Sequence, residues 1–268
     1  MGFFTDTSVC IGCKACEVAC KEWNMLPEDG INLLGSSYDN TGALGASTWR
    51  HVKFIEQPIA APGTAGGPVP GPREPGAADG DLRWLMASDV CKHCTHAACL
   101  DVCPTGALIR TEDGTVIVQD DVCNGCGYCV PACPYGVIEK RPDDGRAFKC
   151  TLCYDRTTAG LMPACATACP TESIQYGPLD ELQERAAGRV AELRSEGEDQ
   201  AQLYGDRPDD GVGGTGAFFL LLDRPEVYGL PPDPVVTTRD LPKMWGYAAG
   251  AAAAVLVSVL GSFIGGQR

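Results

Sequence analysis

The chain has 268 residues, 35 acidic against 21 basic, for a formal net charge of −14. A chain this acidic does not wrap nucleic acid by neutralising phosphates. Aromatic residues make up only 7% of it, beside 33 Gly and 20 Pro, so one large apolar core is not expected to carry the fold.

From the start, Met1 to Thr7 shows neither a basic segment nor an apolar run, and no secretory signal is expected there. A first block of cysteines follows: Cys10, Cys13, Cys16 and Cys20. Trp49 to Glu56 alternates enough for a short strand. Residues 57–80 hold six Pro and six Gly in 24 positions and read as an irregular surface insertion. Asp81 to Met86 reads as a strand, and the second block is Cys91, Cys94, Cys99 and Cys103. Ala107-Leu-Ile-Arg-Thr, then Glu112-Asp-Gly, then Thr115-Val-Ile-Val predict a β-hairpin on an Asp-Gly turn. The third block is Cys123, Cys126, Cys129 and Cys133; the fourth is Cys150, Cys153, Cys165 and Cys169. Leu179, Leu182, Ala186, Val190 and Leu193 recur at helical spacing, with Gly197 as a C-cap. Gly211-Val-Gly-Gly214 reads as a backbone turn before a strand at Ala217 to Leu222. It lacks the strand–helix setting of a phosphate loop, so no nucleotide is expected.

All 16 cysteines fall into these four blocks. Disulfides do not ask for such a rhythm and belong to oxidising compartments. Zinc closes at four ligands, normally from two C-x2-C pairs. The run Cys123-x2-Cys126-x2-Cys129-x3-Cys133-Pro134 is instead that of a 4Fe–4S site, repeated in block one. Block two stretches one gap (Cys94-x4-Cys99) and block four another (Cys153-x11-Cys165); both end in Cys-Pro. Sixteen thiolates make four cubanes. In two-cluster ferredoxins the fourth Cys of a block serves the other cluster. Blocks two and three, joined by the hairpin, read as one such unit, which leaves blocks one and four to enclose it. Tandem pairing, one with two and three with four, fits the spacing as well.

Met244 to Gln267 holds no charged residue, with Trp245 and Tyr247 at its start, Arg239 and Lys243 before it and Arg268 after it. About 21 of these residues in a helix span roughly 32 Å, enough for a bilayer core. Gly246-x3-Gly250-x3-Ala254 forms a small-residue stripe suited to a membrane-helix partner. The segment has no His and supplies no haem ligand. His51 falls in a strand, and His93 and His96 fall inside block two, where the thiolates already suffice. Lys14, Lys92, His93 and Lys149 are candidates for positive charge near cluster sulfurs, which would raise reduction potentials.

Asp6-Thr-Ser-Val-Cys-Ile-Gly-Cys-Lys-Ala-Cys-Glu-Val-Ala-Cys20-Lys-Glu-Trp-Asn24 resembles the opening of the iron–sulfur (beta) subunits of membrane-bound formate dehydrogenases. So do Lys149-Cys-Thr-Leu-Cys-Tyr-Asp-Arg156, Pro163-Ala-Cys, Cys169-Pro-Thr171, Gly211-Val-Gly-Gly-Thr215 and the C-terminal anchor. The cysteine blocks by themselves would fit any four-cluster subunit of the molybdopterin oxidoreductase group. The insertion at 57–80 departs from the family's pattern. The resemblance implies nested pairing: Cys10, Cys13, Cys16 and Cys169 on cluster 1; Cys20, Cys150, Cys153 and Cys165 on cluster 2; Cys91, Cys94, Cys99 and Cys133 on cluster 3; Cys103, Cys123, Cys126 and Cys129 on cluster 4. It also implies a molybdenum or tungsten pterin catalytic partner that oxidises formate, and a membrane cytochrome b partner that reduces quinone.

The expected architecture is α+β, with two nested double-cluster ferredoxin-like units, loop insertions and one C-terminal transmembrane helix. The outer unit takes residues 1–90 and 134–177, the inner one 91–133, an extension 178–240, and the anchor 241–268. The expected function is electron transfer through four 4Fe–4S clusters, with no catalytic residues of the chain's own. The rival readings are the equivalent subunit of a hydrogenase or of a sulfur-compound or nitrite reductase complex, and a zinc-stabilised scaffold. The expected place is the cell membrane by a single pass, with the clusters on the outer face after twin-arginine export with the partner; the cytoplasmic face is the alternative.

Overall fold

The structure, a computed structural model, describes residues 1–30, 41–58 and 82–265, so the insertion read at 57–80 lies almost wholly outside the described residues. Strand β1 (Gly2–Asp6) leads into the first cysteines, and helix α1 (Ala15–Trp23) carries Cys16 and Cys20. Strands β2 (Arg50–Pro58) and β3 (Leu82–Val90) form an antiparallel ribbon, in register from Arg50 opposite Val90 to Pro58 opposite Leu82. Both run further than the alternation predicted. After the short helix α2 (Ala98–Asp101) comes the expected hairpin, β4 (Leu108–Arg110) on β5 (Val116–Val118). Helix α3 (Cys129–Ala132) and the ribbon β6 (Glu139–Lys140) on β7 (Ala147–Phe148) follow. The long gap in block four is filled by α4 (Tyr154–Thr158) and α5 (Ala164–Thr167). The chain ends with β8 (Ile174–Gly177), α6 (Leu179–Ser195), β9 (Gln202–Tyr204), β10 (Ala217–Leu221) and α7 (Leu241–Gly265).

The first strand is the centre of the main sheet, whose order is β8-β1-β10-β9. β1 lies parallel to β10, Phe3 opposite Ala217 and Asp6 opposite Leu220, and antiparallel to β8. The alternation of a strand then sorts the side chains onto two faces. Phe4, Phe218 and Leu220 meet Leu182, Ala186, Val190 and Leu193 of α6. The Phe4 and Phe218 rings stack with centroids 5.2 Å apart. Phe3, Phe219 and Leu221 face the other way, into the core that also holds Cys16, Cys91, Cys150 and Cys165. One face of the sheet is thus ordinary apolar packing and the other is the wall of the cysteine-lined interior.

Helix α6 presents the apolar face its spacing predicted, and it ends as Gly197 predicted. Gly197 takes φ +100°, its N–H donates to the Arg194 carbonyl, and the N–H of Glu198 donates to that of Leu193. This pair of bonds satisfies carbonyls that the helix end leaves open, and it needs a residue at ease at positive φ.

Helix α7 begins three residues before the uncharged run, with Pro242 in its first turn, where a missing N–H costs nothing. Leu241–Phe263 is long and apolar enough to cross a membrane and is exposed throughout. Its root is tied to block two. Val236 packs with Ala98 and Val212, and the Thr238 hydroxyl donates to Asp101 at 2.5 Å.

Replacing Phe218 by Ala removes one of the two stacked rings and should destabilise the sheet–helix layer by about 3–5 kcal/mol. A lowered melting temperature with an unchanged iron content is the expected result, because the ring faces α6 and not the cysteines.

Candidate metal centre

All sixteen thiols are unbridged, so no disulfide framework is present. Four thiolates on one zinc would lie about 3.8 Å apart, from Zn–S bonds of about 2.3 Å at tetrahedral angles. Among the described residues no three His, Cys, Asp or Glu side chains gather closely enough for a single ion.

Cys10, Cys13, Cys16 and Cys169 line one pocket, walled by Val52, Ser88 and Ile174. Cys91, Cys94, Cys99 and Cys133 line a second, with Lys92, His93 and Lys149. Burial pushes the Cys20 thiol well above its ordinary range, and the neighbouring sulfurs that add to the push are those of Cys150, Cys165 and Cys153. Burial likewise pushes Cys129 up to about 11, with the sulfurs of Cys123, Cys126 and Cys103 adding to it. Other neighbours cross between these groups of four. Cys16 feels Cys165, Cys150 feels Cys91, and Cys99 feels Cys129. Thiols of different groups therefore lie near one another.

The donor chemistry fits iron–sulfur cores. Burial raises the thiols of Cys16 to about 11 and those of Cys99 and Cys150 to about 12. Such sulfurs become thiolates only beside a compensating cation. Backbone amides already point at several of them. The N–H of Leu152 donates to Cys150 at 3.3 Å, and those of Tyr135, Gly136 and Val137 serve Cys133. Donors of this kind stabilise negative sulfur and tune potential.

The Gly-Val-Gly-Gly-Thr segment braces block two from outside. The Thr95 and His96 N–H groups donate to the carbonyls of Gly214 and Val212, while those of Gly216 and Ala217 donate to the carbonyls of His93 and Lys92. Gly213 sits at φ +75° with the His96 ring where a Cβ would stand. The turn read from its glycines is thus a clamp on the Cys91–Cys94 loop.

The four candidate charges take different roles. Lys92 and Lys149 are both buried. The Lys92 ammonium pairs with Asp89 and lies over the Phe219 ring, and that of Lys149 donates to the carbonyls of Val116 and Cys150. Lys14 pairs with Glu17 at 3.2 Å. His93 is buried as well. Burial, then the neighbouring Lys149, holds its pKa well below the usual imidazole range. Its Nδ1 accepts the Val116 N–H, which leaves the proton on a buried Nε2. His51 lies in β2, as expected, and is buried.

Sequence reading missed Arg50, which is 1% exposed. Burial works against its charge, but the sulfurs of Cys165, Cys16, Cys150 and Cys20 more than offset that. The signal was an arginine at the start of a strand, beside the buried His51 and Val52.

Two family descriptions match, both "4Fe-4S dicluster domain", over residues 9–107 and 82–179. The chain is 42% identical over 236 residues to the formate dehydrogenase iron–sulfur subunit of Haemophilus influenzae, covering 86% of this chain and 68% of the relative. It is 40% identical over 237 residues to the nitrate-inducible formate dehydrogenase iron–sulfur subunit of Escherichia coli, covering 87% and 73%. The B subunit of the anaerobic dimethyl sulfoxide reductase of Escherichia coli is 36% identical over 186 residues, covering 69% and 76%. Two dicluster domains and sixteen cysteines give four 4Fe–4S clusters.

Elemental analysis of the anaerobically purified chain should find about 16 iron and 16 sulfide, four per cubane; four zinc and no iron would end this reading. Gly213→Ala, strained at positive φ and against His96, should empty the cavity of block two first, lowering iron towards about 12 per chain.

Proposed function

Because the chain belongs to the family of formate dehydrogenase iron–sulfur subunits, we propose that it relays electrons from a molybdenum or tungsten pterin subunit that oxidises formate to a membrane cytochrome b that reduces quinone. As a member of that family it is an electron-transfer subunit. When bound, the clusters supply one-electron redox chemistry, and the chain's residues hold, space and insulate them. The reading is carried by one observation, that the fold brings thiols from distant blocks of one chain around common pockets, Cys169 with Cys10, Cys13 and Cys16, and Cys133 with Cys91, Cys94 and Cys99. The equivalent role in a sulfur-compound reductase is the second reading, favoured by the likeness to the dimethyl sulfoxide reductase subunit. The greater share of this chain matched by the formate dehydrogenase subunits favours the first.

The ligand sets follow nested pairing. Cys10, Cys13 and Cys16 share cluster 1 with Cys169, and Cys20 joins Cys150, Cys153 and Cys165 on cluster 2. Cys133 joins Cys91, Cys94 and Cys99 on cluster 3, and Cys103 joins Cys123, Cys126 and Cys129 on cluster 4. Support comes from the two cavities and from the thiol neighbours of Cys20 and Cys129. The outer unit is 1–90 with 134–177, the inner unit 91–133. The spatial order is then 1, 2, 3, 4.

Helix α7 crosses the membrane once and docks the cytochrome along its Gly246, Gly250 and Ala254 stripe. The bond from Thr238 to Asp101, between Cys99 and Cys103, supports an exit beside the inner unit. The cluster domain faces outward, exported folded with a partner that carries the twin-arginine signal.

Single-serine variants read by EPR test the pairing. Cys169→Ser should disturb the cluster of block one and Cys133→Ser that of block two, the remaining signals holding. A Cys169→Ser protein with an altered block-three cluster and an intact block-one cluster would refute nesting. Removing residues 241–268 should release the domain from membranes with its iron retained. A truncate that still sediments with membranes when its partners are absent would show the anchor is misassigned.

A further inference from the structure

Arg50 is a whole charge without a carboxylate. Its guanidinium is 1% exposed, and one end donates to the Ser88 carbonyl at 3.1 Å and the Ser88 hydroxyl at 3.3 Å. The other end reaches the Cys165 sulfur at 3.4 Å. The Ser88 hydroxyl in turn lies 3.2 Å from the Cys16 sulfur, so Arg50 and Ser88 form a bridge from Cys16 to Cys165. The Phe3 ring covers the guanidinium at 4.9 Å and helps close it from water. No carboxylate pairs with Arg50 among the described residues; the anionic groups around it are the sulfurs of Cys16, Cys20, Cys150 and Cys165. A buried charge left unpaired is strongly destabilising, so its partners must be these sulfurs.

Under the nested sets, on which this inference rests, Cys16 belongs to cluster 1 and the other three to cluster 2. We propose that Arg50 is a fixed positive charge shared by the two outer clusters, holding both at higher reduction potential than their surroundings would otherwise give. Reduction by one electron takes a four-thiolate cubane from a formal charge of about −2 to about −3, with no bond made or broken. A neighbouring cation favours the more negative form, and in a dry interior that preference is large. Arginine keeps its proton throughout, so the device needs no proton transfer. Because the charge stands between both clusters, it also lowers the cost of reducing one beside the other.

The test is an EPR-monitored redox titration of the whole complex, with dithionite as reductant and spins integrated for every cluster. Variants are Arg50→Met, which keeps length without charge, and Arg50→Lys, which keeps the charge. In Arg50→Met the midpoints of clusters 1 and 2 should both fall while those of clusters 3 and 4 stay. In Arg50→Lys the fall should be smaller. Unmoved midpoints, equal falls in Met and Lys, or a fall spread over all four clusters would overturn the proposal. If Arg50→Met assembles only clusters 3 and 4, retention of all four by Arg50→Lys supports it, and loss of the outer pair from Arg50→Lys as well overturns it. Four wild-type signals with the serine-variant pattern described above establish the pairing independently, so a failure here is separable from a failure there.

Discussion

A buried thiolate is tolerable only next to positive charge, and this chain buries or half-buries fourteen of its sixteen. Everything else in the interior answers that demand. Among the described residues no three ligand side chains gather for one ion, and thiols from distant blocks line common pockets. Amides and the buried Lys92, Lys149 and Arg50 supply the remaining positive potential. With clusters bound, the formal charge falls from −14 to about −22, since each cubane adds about −2. So negative a chain should depend on its metal for folding and sit against more basic partner surfaces.

The same demand explains the topology. Block one begins just after β1, and block four ends just before β8, which pairs with β1. The sheet therefore brings Cys10 and Cys169 to one place without help from local sequence. β10, arriving from beyond residue 210, completes the sheet on the other side of β1. Its preceding glycine segment clamps block two on the way. Packing, backbone bonding and metal ligation close the same long loops, so each makes the others cheaper in entropy.

Much of this was legible in the sequence because it is written locally. Cysteine spacing, the Asp-Gly hairpin, the apolar stripe of α6 with its Gly197 cap and the uncharged terminal run are each set within about twenty residues. What was not legible is non-local. β1 and β8 are only five and four residues long, and they pair with partners more than 160 positions away. Arg50 escaped notice because an arginine in a strand ordinarily faces water, and only the fold turns it onto sulfur.

The central claim is that metal ligation joins distant segments in nested pairs and carries the fold. Hydrogen exchange on the purified complex, before and after iron is removed by a chelator under oxidising conditions, tests it most directly. The account expects amides beside Cys10–Cys20 and Cys150–Cys169, with those of β1 and β8, to lose protection together as one unit. Those beside Cys91–Cys103 and Cys123–Cys133 should form a second unit. Protection that survives iron removal, or that is lost with blocks one and two as one unit and blocks three and four as the other, would contradict it.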